Sequence, residues 1–133
     1  MKAFLSIAAL MGWLVGGMLL FAPGKFYAPI GISMNPMVAT LAQAHAATLI
    51  GLAFINWLVR NADPRLLSPV LTGNLIVQVL SLGVVLWTAI LGAGAAVAPG
   101  VAIHIVLSSF FAYFLLRSSR SASEMASSSD EAK

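Results

Sequence analysis

Four long apolar runs divide the chain, and polar or proline-bearing stretches separate them. The first reads AFLSIAALMGWLVGGMLLFA, residues 3–22, and Pro23 and Gly24 close it. Next comes PGKFYAPIGISMNP, residues 23–36, with three prolines, two glycines and an asparagine. This is a loop whose Phe26, Tyr27 and Ile30 suit a lipid–water interface, and Pro36 is placed to open a helix. The second run covers residues 37–59, with Trp57 as interfacial anchor and Arg60 at the exit. RNADPRLLSP, residues 60–69, reads as a polar turn. The third run covers residues 70–91, GAGAAVAPG (92–100) is an uncharged connection, and the fourth run covers residues 97–116. Each run is about the 20 residues that a helix needs to cross the hydrocarbon of a bilayer.

These elements predict an all-α fold: a four-helix transmembrane bundle, up-down, in one domain. The tail, RSSRSASEMASSSDEAK (117–133), has almost nothing to bury and predicts disorder. The first run exceeds the apolar core of a secretory signal, and no small-x-small cleavage site follows it. It is therefore expected to be a retained helix.

Composition sharpens this picture. The 133 residues are 60% hydrophobic and only 8% charged, against about 25% charged in soluble domains. Too few charges exist to solvate a surface, so the chain belongs in a bilayer. Cysteine is absent, which removes disulfides and thiolate ligands. The net charge of +3 comes from basic residues near span ends. Lys2, Arg60, Arg65, Arg117 and Arg120 share one side of a four-span topology, and Lys25 alone lies on the other. The excess of basic residues predicts cytoplasmic N- and C-termini in a multi-pass protein of the cell (inner) membrane. It does not describe a nucleic-acid surface.

The faces of the spans carry the candidate chemistry. Ala8, Gly12 and Gly16 recur at every fourth position, a ridge for close helix packing, either within one chain or between two copies. In the third span Asn74, Gln78, Ser81 and Thr88 fall within about 80° of one another. Such a stripe avoids lipid; it serves interhelical hydrogen bonds or walls a polar cavity. In LAQAHAATLIG (41–51), His45 points nearly opposite to Gln43 and within about 20° of Asn56, which lies about 16 Å further along. Thr40, Ala44, Ala47, Thr48 and Gly51 form a third surface, suited to close helix contact. In the fourth span His104 and Ser108 share a face one turn apart.

His45 and His104 both lie about 10 Å inward from the end opposite the termini, at matched depth with Gly16 and Thr88. Three readings of this pair stand together. Each ring could make a structural hydrogen bond, to Thr88, Ser108 or a carbonyl. The pair could line a pocket for a small molecule or lipid headgroup, or move protons. Both could ligate a b-type haem or a metal, with Gly16 leaving room for a flat ring. A metal site is the weakest, because no span supplies Asp, Glu or Cys. The same lack removes paired carboxylates for acid–base catalysis, and Ser108 with His104 has no orienting acid. No catalytic residue is assigned.

The layout resembles small bacterial four-helix membrane proteins of the DoxX-like kind. The stretches that carry this are LLFAPGKFYAPIGI (19–32), a first helix ending in a proline-bearing outer loop, and ATLIGLAFINWLVRN (47–61), a glycine-bearing helix with Asn-Trp before arginine. The resemblance implies a four-helix bundle and carries over no functional residue.

Three functions follow as expectations. The leading one is a non-enzymatic membrane protein, either an accessory or assembly partner of a membrane complex or a binder of a lipophilic ligand in its outer half. The second is a redox protein holding haem or quinone between His45 and His104. The third is a small oligomeric transporter or channel lined by Asn74, Gln78, Ser81 and Thr88.

Overall fold

A computed structural model describes residues 1–130, apart from the side chains of Pro64, Arg65 and residues 121–130. The described residues are mostly helical, with no strand. The long helices are α1 (Lys2–Phe21), α3 (Pro36–Val59), α4 (Pro64–Thr88) and α5 (Ala98–Asp130). A short helix, α2 (Pro23–Tyr27), and a single 3₁₀ turn (Ala28–Ile30) fill the first loop. Three helical stretches are long and apolar enough to cross a membrane: Lys2–Phe21, Pro36–Val59 and Leu66–Arg120. The last is 55 residues long because α4 and α5 are joined by helical turns rather than by an open loop. It folds back at Gly92 (φ 118) and Gly94 (φ 53), backbone conformations that L side chains rarely adopt.

The α3 start is capped as its sequence suggests. Asn35 Oδ1 accepts from the Val38 N–H at 2.9 Å, and Pro36 occupies the first turn, where no N–H is needed. The predicted turn 60–69 is shorter than expected. Pro64 opens α4 in the same way, so the helix includes Pro69 and only residues 60–63 connect it to α3. Pro69 is the sixth residue of α4, past the first turn, so the helix forgoes the hydrogen bond that an N–H there would make.

The predicted disordered tail is also corrected over its described part. Helix α5 continues to Asp130, and residues 131–133 lie outside the described residues. Loss of apolar residues is not a stop signal for a helix; glycine and proline are, and neither occurs after Gly100. Extension from an existing helix needs no nucleation, and alanine, glutamate and methionine propagate it well.

Packing forms two antiparallel hairpins. In the first, α1 lies on α3 through its glycines. A Cβ on Gly12 would come 2.8 Å from Ala53 Cβ, and one on Gly16 would come 2.7 Å from Ile50 Cγ1 and 3.2 Å from the Ala46 carbonyl. The α3 surface used is Ala42, Ala46 and Ala53, not the predicted Thr40–Ala44–Ala47–Thr48–Gly51 surface, all of which is exposed. Both faces carry small residues, so residue size alone does not select between them. The face with Ala42, Ala46 and Ala53 also carries the large side chains Leu49 and Ile50, which fill the groove beside Gly16. Thr40 and Thr48 turn their hydroxyls back to Pro36 and Ala44 carbonyls of their own helix. Trp13 extends the contact, with ring centroids 5.2 Å from Phe54 and 5.5 Å from Trp57. The Arg60 guanidinium lies 3.6 Å over the Trp57 ring and donates to the Trp57 carbonyl.

In the second hairpin α4 lies on α5, with Val85 beside Gly100 and Leu71 packed with Phe111. The hairpins join at the end holding Met1 and Arg60. There Leu5 of α1, Leu67 and Leu71 of α4 and Phe111 of α5 form one buried cluster, edged by Met1, Phe4, Ala8 and Val59. At the opposite end Leu19, Ala42 and Ala46 form a separate cluster with Phe26 and Tyr27, drawn from the first hairpin alone. Burial raises the pKa of Tyr27, so the phenol stays neutral well into the alkaline range. The shared core is thus at one end; at the other the 3₁₀ turn Ala28–Ile30 of the first hairpin meets Gly94–Val97 of the second, and no buried cluster of the described residues spans both hairpins there.

Gly12→Ala and Gly16→Ala are each expected to destabilise by about 1–3 kcal/mol. Ala53 Cβ has no rotamer to yield, and Ile50 Cγ1 is held by the one χ1 that a β-branched side chain favours in a helix, with the Ala46 carbonyl behind it. Gly17→Ala, with nothing within 4 Å of the new methyl, should be neutral or slightly stabilising. Unfolding of the detergent-solubilised variants in graded SDS checks the order.

Candidate functional site

Three polar contacts tie the helices together below the apolar surface. Asn56 of α3 and Asn74 of α4 are both buried and exchange two hydrogen bonds, each 3.0 Å. Asn74 Nδ2 donates also to the Val70 carbonyl at 2.8 Å. One turn further along α4, buried Gln78 meets His104 of α5, with Oε1 and Nδ1 2.7 Å apart. Within the first hairpin Gln43 Nε2 donates to the Leu20 carbonyl at 3.3 Å.

The His104 bond differs from the expectations. Neither Thr88 nor Ser108 is the partner. Thr88 Oγ1 donates to the Val84 carbonyl of its own helix at 2.9 Å. Ser108 Oγ is buried and has no hydrogen-bond partner among the described residues. A hydroxyl in a helix can reach only as far as its short side chain, and its cheapest acceptor is the carbonyl one turn back. Glutamine has two more rotatable bonds and crosses to the neighbouring helix.

The amide oxygen of Gln78 is an acceptor only, so the bond requires the proton on His104 Nδ1. In the neutral ring Nε2 is then an acceptor, and no described residue donates to it. His104 is half-buried, and His45 on α3 is exposed. His45 shares the α3 face of Asn56, and Asn56 touches α4. The structure brings together Gln78 and His104, and His45 lies exposed on α3.

Other predicted site residues lie elsewhere. Ser81 is partly buried one turn along α4 from Gln78. Ala8 edges the four-helix cluster. Gly16 was expected to leave room for a flat ring, but Ala46 and Ile50 fill its face. Close helix packing and an open slot produce the same glycine in a sequence. Among the described residues no three metal-binding side chains cluster. Sequence reasoning also missed the pairing of Asn56 with Asn74. The available signal was an asparagine in each of two successive spans near their common turn.

No protein-family model, curated protein or solved structure matches the chain.

Asn56→Leu or Asn74→Leu alone should cost about 1 kcal/mol by stranding the other amide. The double substitution should recover most of that loss, and a double-mutant cycle in detergent measures the coupling. Nitrogen NMR should find His104 protonated at Nδ1 and bare at Nε2, with this preference lost in Gln78→Leu.

Proposed function

We propose that the protein is a four-span, up-down integral membrane protein of the cell membrane, non-enzymatic, with both termini cytoplasmic. In this reading it holds a lipophilic molecule with a small polar head in its outer half, between His45 and His104. The single observation that carries the proposal is the anchored His104 ring. Buried Gln78 fixes its Nδ1 at 2.7 Å, and its Nε2 is left as an acceptor on the helix pair that faces the half of α3 carrying His45 in this reading. A structural histidine satisfied on both nitrogens would not need this arrangement.

The antiparallel contacts within each hairpin support the up-down order. The distribution of basic residues, five near one end and Lys25 near the other, supports the orientation. A ligand hydroxyl would donate to His104 Nε2, while His45 offers a second polar contact. The apolar body of the ligand would lie between α3 and the α4–α5 hairpin. No carboxylate stands within the spans to drive acid–base chemistry, which supports binding over catalysis. The exposed face Thr40–Ala44–Thr48 and Ala47–Gly51 is compatible with an accessory role, since small residues admit a neighbouring helix.

One observation favours the redox alternative. A histidine anchored through Nδ1 with a bare Nε2 is prepared as an axial ligand, so a b-type haem between His45 and His104 remains the second reading. The filled face of Gly16 gives it no help. The transport path gains no support either, because Asn74 and Gln78 are engaged by Asn56 and His104.

The full-length protein, purified in mild detergent, tests both readings by mass spectrometry of co-purified lipophiles and by absorption. A stoichiometric lipophile that falls about tenfold in His104→Ala, the loss of one good buried contact, supports the proposal. Equal retention in His45→Ala, His104→Ala and the parent protein would overturn it. A Soret band that disappears in either variant, in cells supplied with haem precursor, would select the haem reading.

A further inference from the structure

The α5 helix carries a second surface, on the side away from His104. Val106, Phe110, Tyr113, Arg117 and Arg120 fall within about 80° of one another around it, and all five are exposed. Ser109, Phe110 and Tyr113 line a shallow apolar groove of about 240 Å³.

The wall of this groove is stiff. Phe4 of α1 stacks on Phe110 at 5.5 Å and on Phe114 at 5.1 Å, and meets Phe111 edge-on at 4.7 Å. Tyr113 adds an edge-on contact to Phe114 at 5.1 Å. Arg117 lies one turn beyond Tyr113 and Arg120 another turn beyond that, about 6 and 10 Å along the axis. Exposed Lys2 begins the helix that carries Phe4, so it adds a cation at the same end. Glu124 follows one turn after Arg120, further from the apolar groove.

This succession is apolar groove, aromatic rim and then paired guanidinium groups at the level where the apolar span ends at Leu116. It matches the succession of an acyl chain, glycerol backbone and phosphodiester in one leaflet. Guanidinium binds phosphate oxygens through two parallel N–H bonds, and its five donors let Arg117 serve a lipid beside its intramolecular partner.

We propose that this stripe is a binding site for an anionic phospholipid, with the phosphodiester at Arg117 and Arg120 and an acyl chain along Ser109, Phe110 and Tyr113. The site is separate from His45 and His104 and stands whether or not those residues bind a ligand.

Native mass spectrometry of the full chain tests it, with phosphatidylglycerol and phosphatidylcholine of identical acyl chains, and with inorganic phosphate as competitor. Phosphatidylglycerol should be retained at least about fivefold better than phosphatidylcholine, the effect of one basic residue at an anionic surface. The doubly substituted Arg117→Gln, Arg120→Gln chain should lose that preference. Ser109→Trp fills the groove with both charges intact and should also lower retention, with helicity checked by circular dichroism. Equal retention of the two lipids by the parent protein would overturn the proposal. So would unchanged retention in Ser109→Trp. Displacement by inorganic phosphate at equal concentration would reduce the surface to a simple anion site and overturn the lipid assignment.

Discussion

The reciprocal amide pair of Asn56 and Asn74 is the constraint on which the relation of the two hairpins depends. Apolar side chains cannot choose between a neighbouring helix and a lipid tail by hydrophobicity alone, because both are equally apolar. A buried carboxamide can choose, since lipid offers it no partner. The two asparagines satisfy each other at 3.0 Å and so set the rotation of α3 against α4. Once that rotation is set, Val59, Leu67 and Leu71 come together with Leu5 and Phe111. His45 lies about 20° from Asn56 around α3, three turns away along it, and is exposed.

Within each hairpin the forces are of another kind. The α1–α3 contact is built on missing side chains: Gly12 and Gly16 admit Ala53, Ala46 and Ile50 to distances that a Cβ would forbid. Dispersion between closely approached helices replaces the hydrophobic drive. The α4–α5 contact uses a longer reach, with Gln78 and His104 spanning the gap. The first contact leaves no space between its helices. The second holds a polar pair that is only partly closed.

Span positions were legible because hydrophobicity is a local property of the chain. The predicted limits of the first two spans differ from the observed helices by one residue at each end or less. Helical phase was legible too: Asn74 and Gln78 share a face, and Gln43 and His45 do not. What periodicity could not give was the direction of each face in the assembled molecule. It left Asn56 without Asn74 and offered Thr88 and Ser108 to His104 in place of Gln78. It also treated the exposed Thr40–Gly51 surface and the buried Ala42–Ala53 surface as equals, because small residues mark both. The tail failed for a different reason. Polarity predicts that a segment has nothing to bury, whereas continuation of a helix depends on the absence of a terminator.

The two ends of the molecule solve the polar problem in opposite ways, and that contrast carries the functional reading. Near the termini the amide pair is closed on itself and surrounded by the four-helix cluster. Further along, His104 has one nitrogen anchored and one bare, Ser108 Oγ has no partner among the described residues, and His45 is exposed. Burying polar groups without partners costs free energy unless something supplies the missing contacts. Water could supply them in an aqueous protein. In the proposed function, an occupant within a bilayer would be lipophilic enough to enter and polar enough at one point to meet an imidazole acceptor. A hydroxyl on an apolar body meets both demands. Selectivity would come from the same tautomer that Gln78 imposes: a ligand that only accepts hydrogen bonds finds no donor at His104.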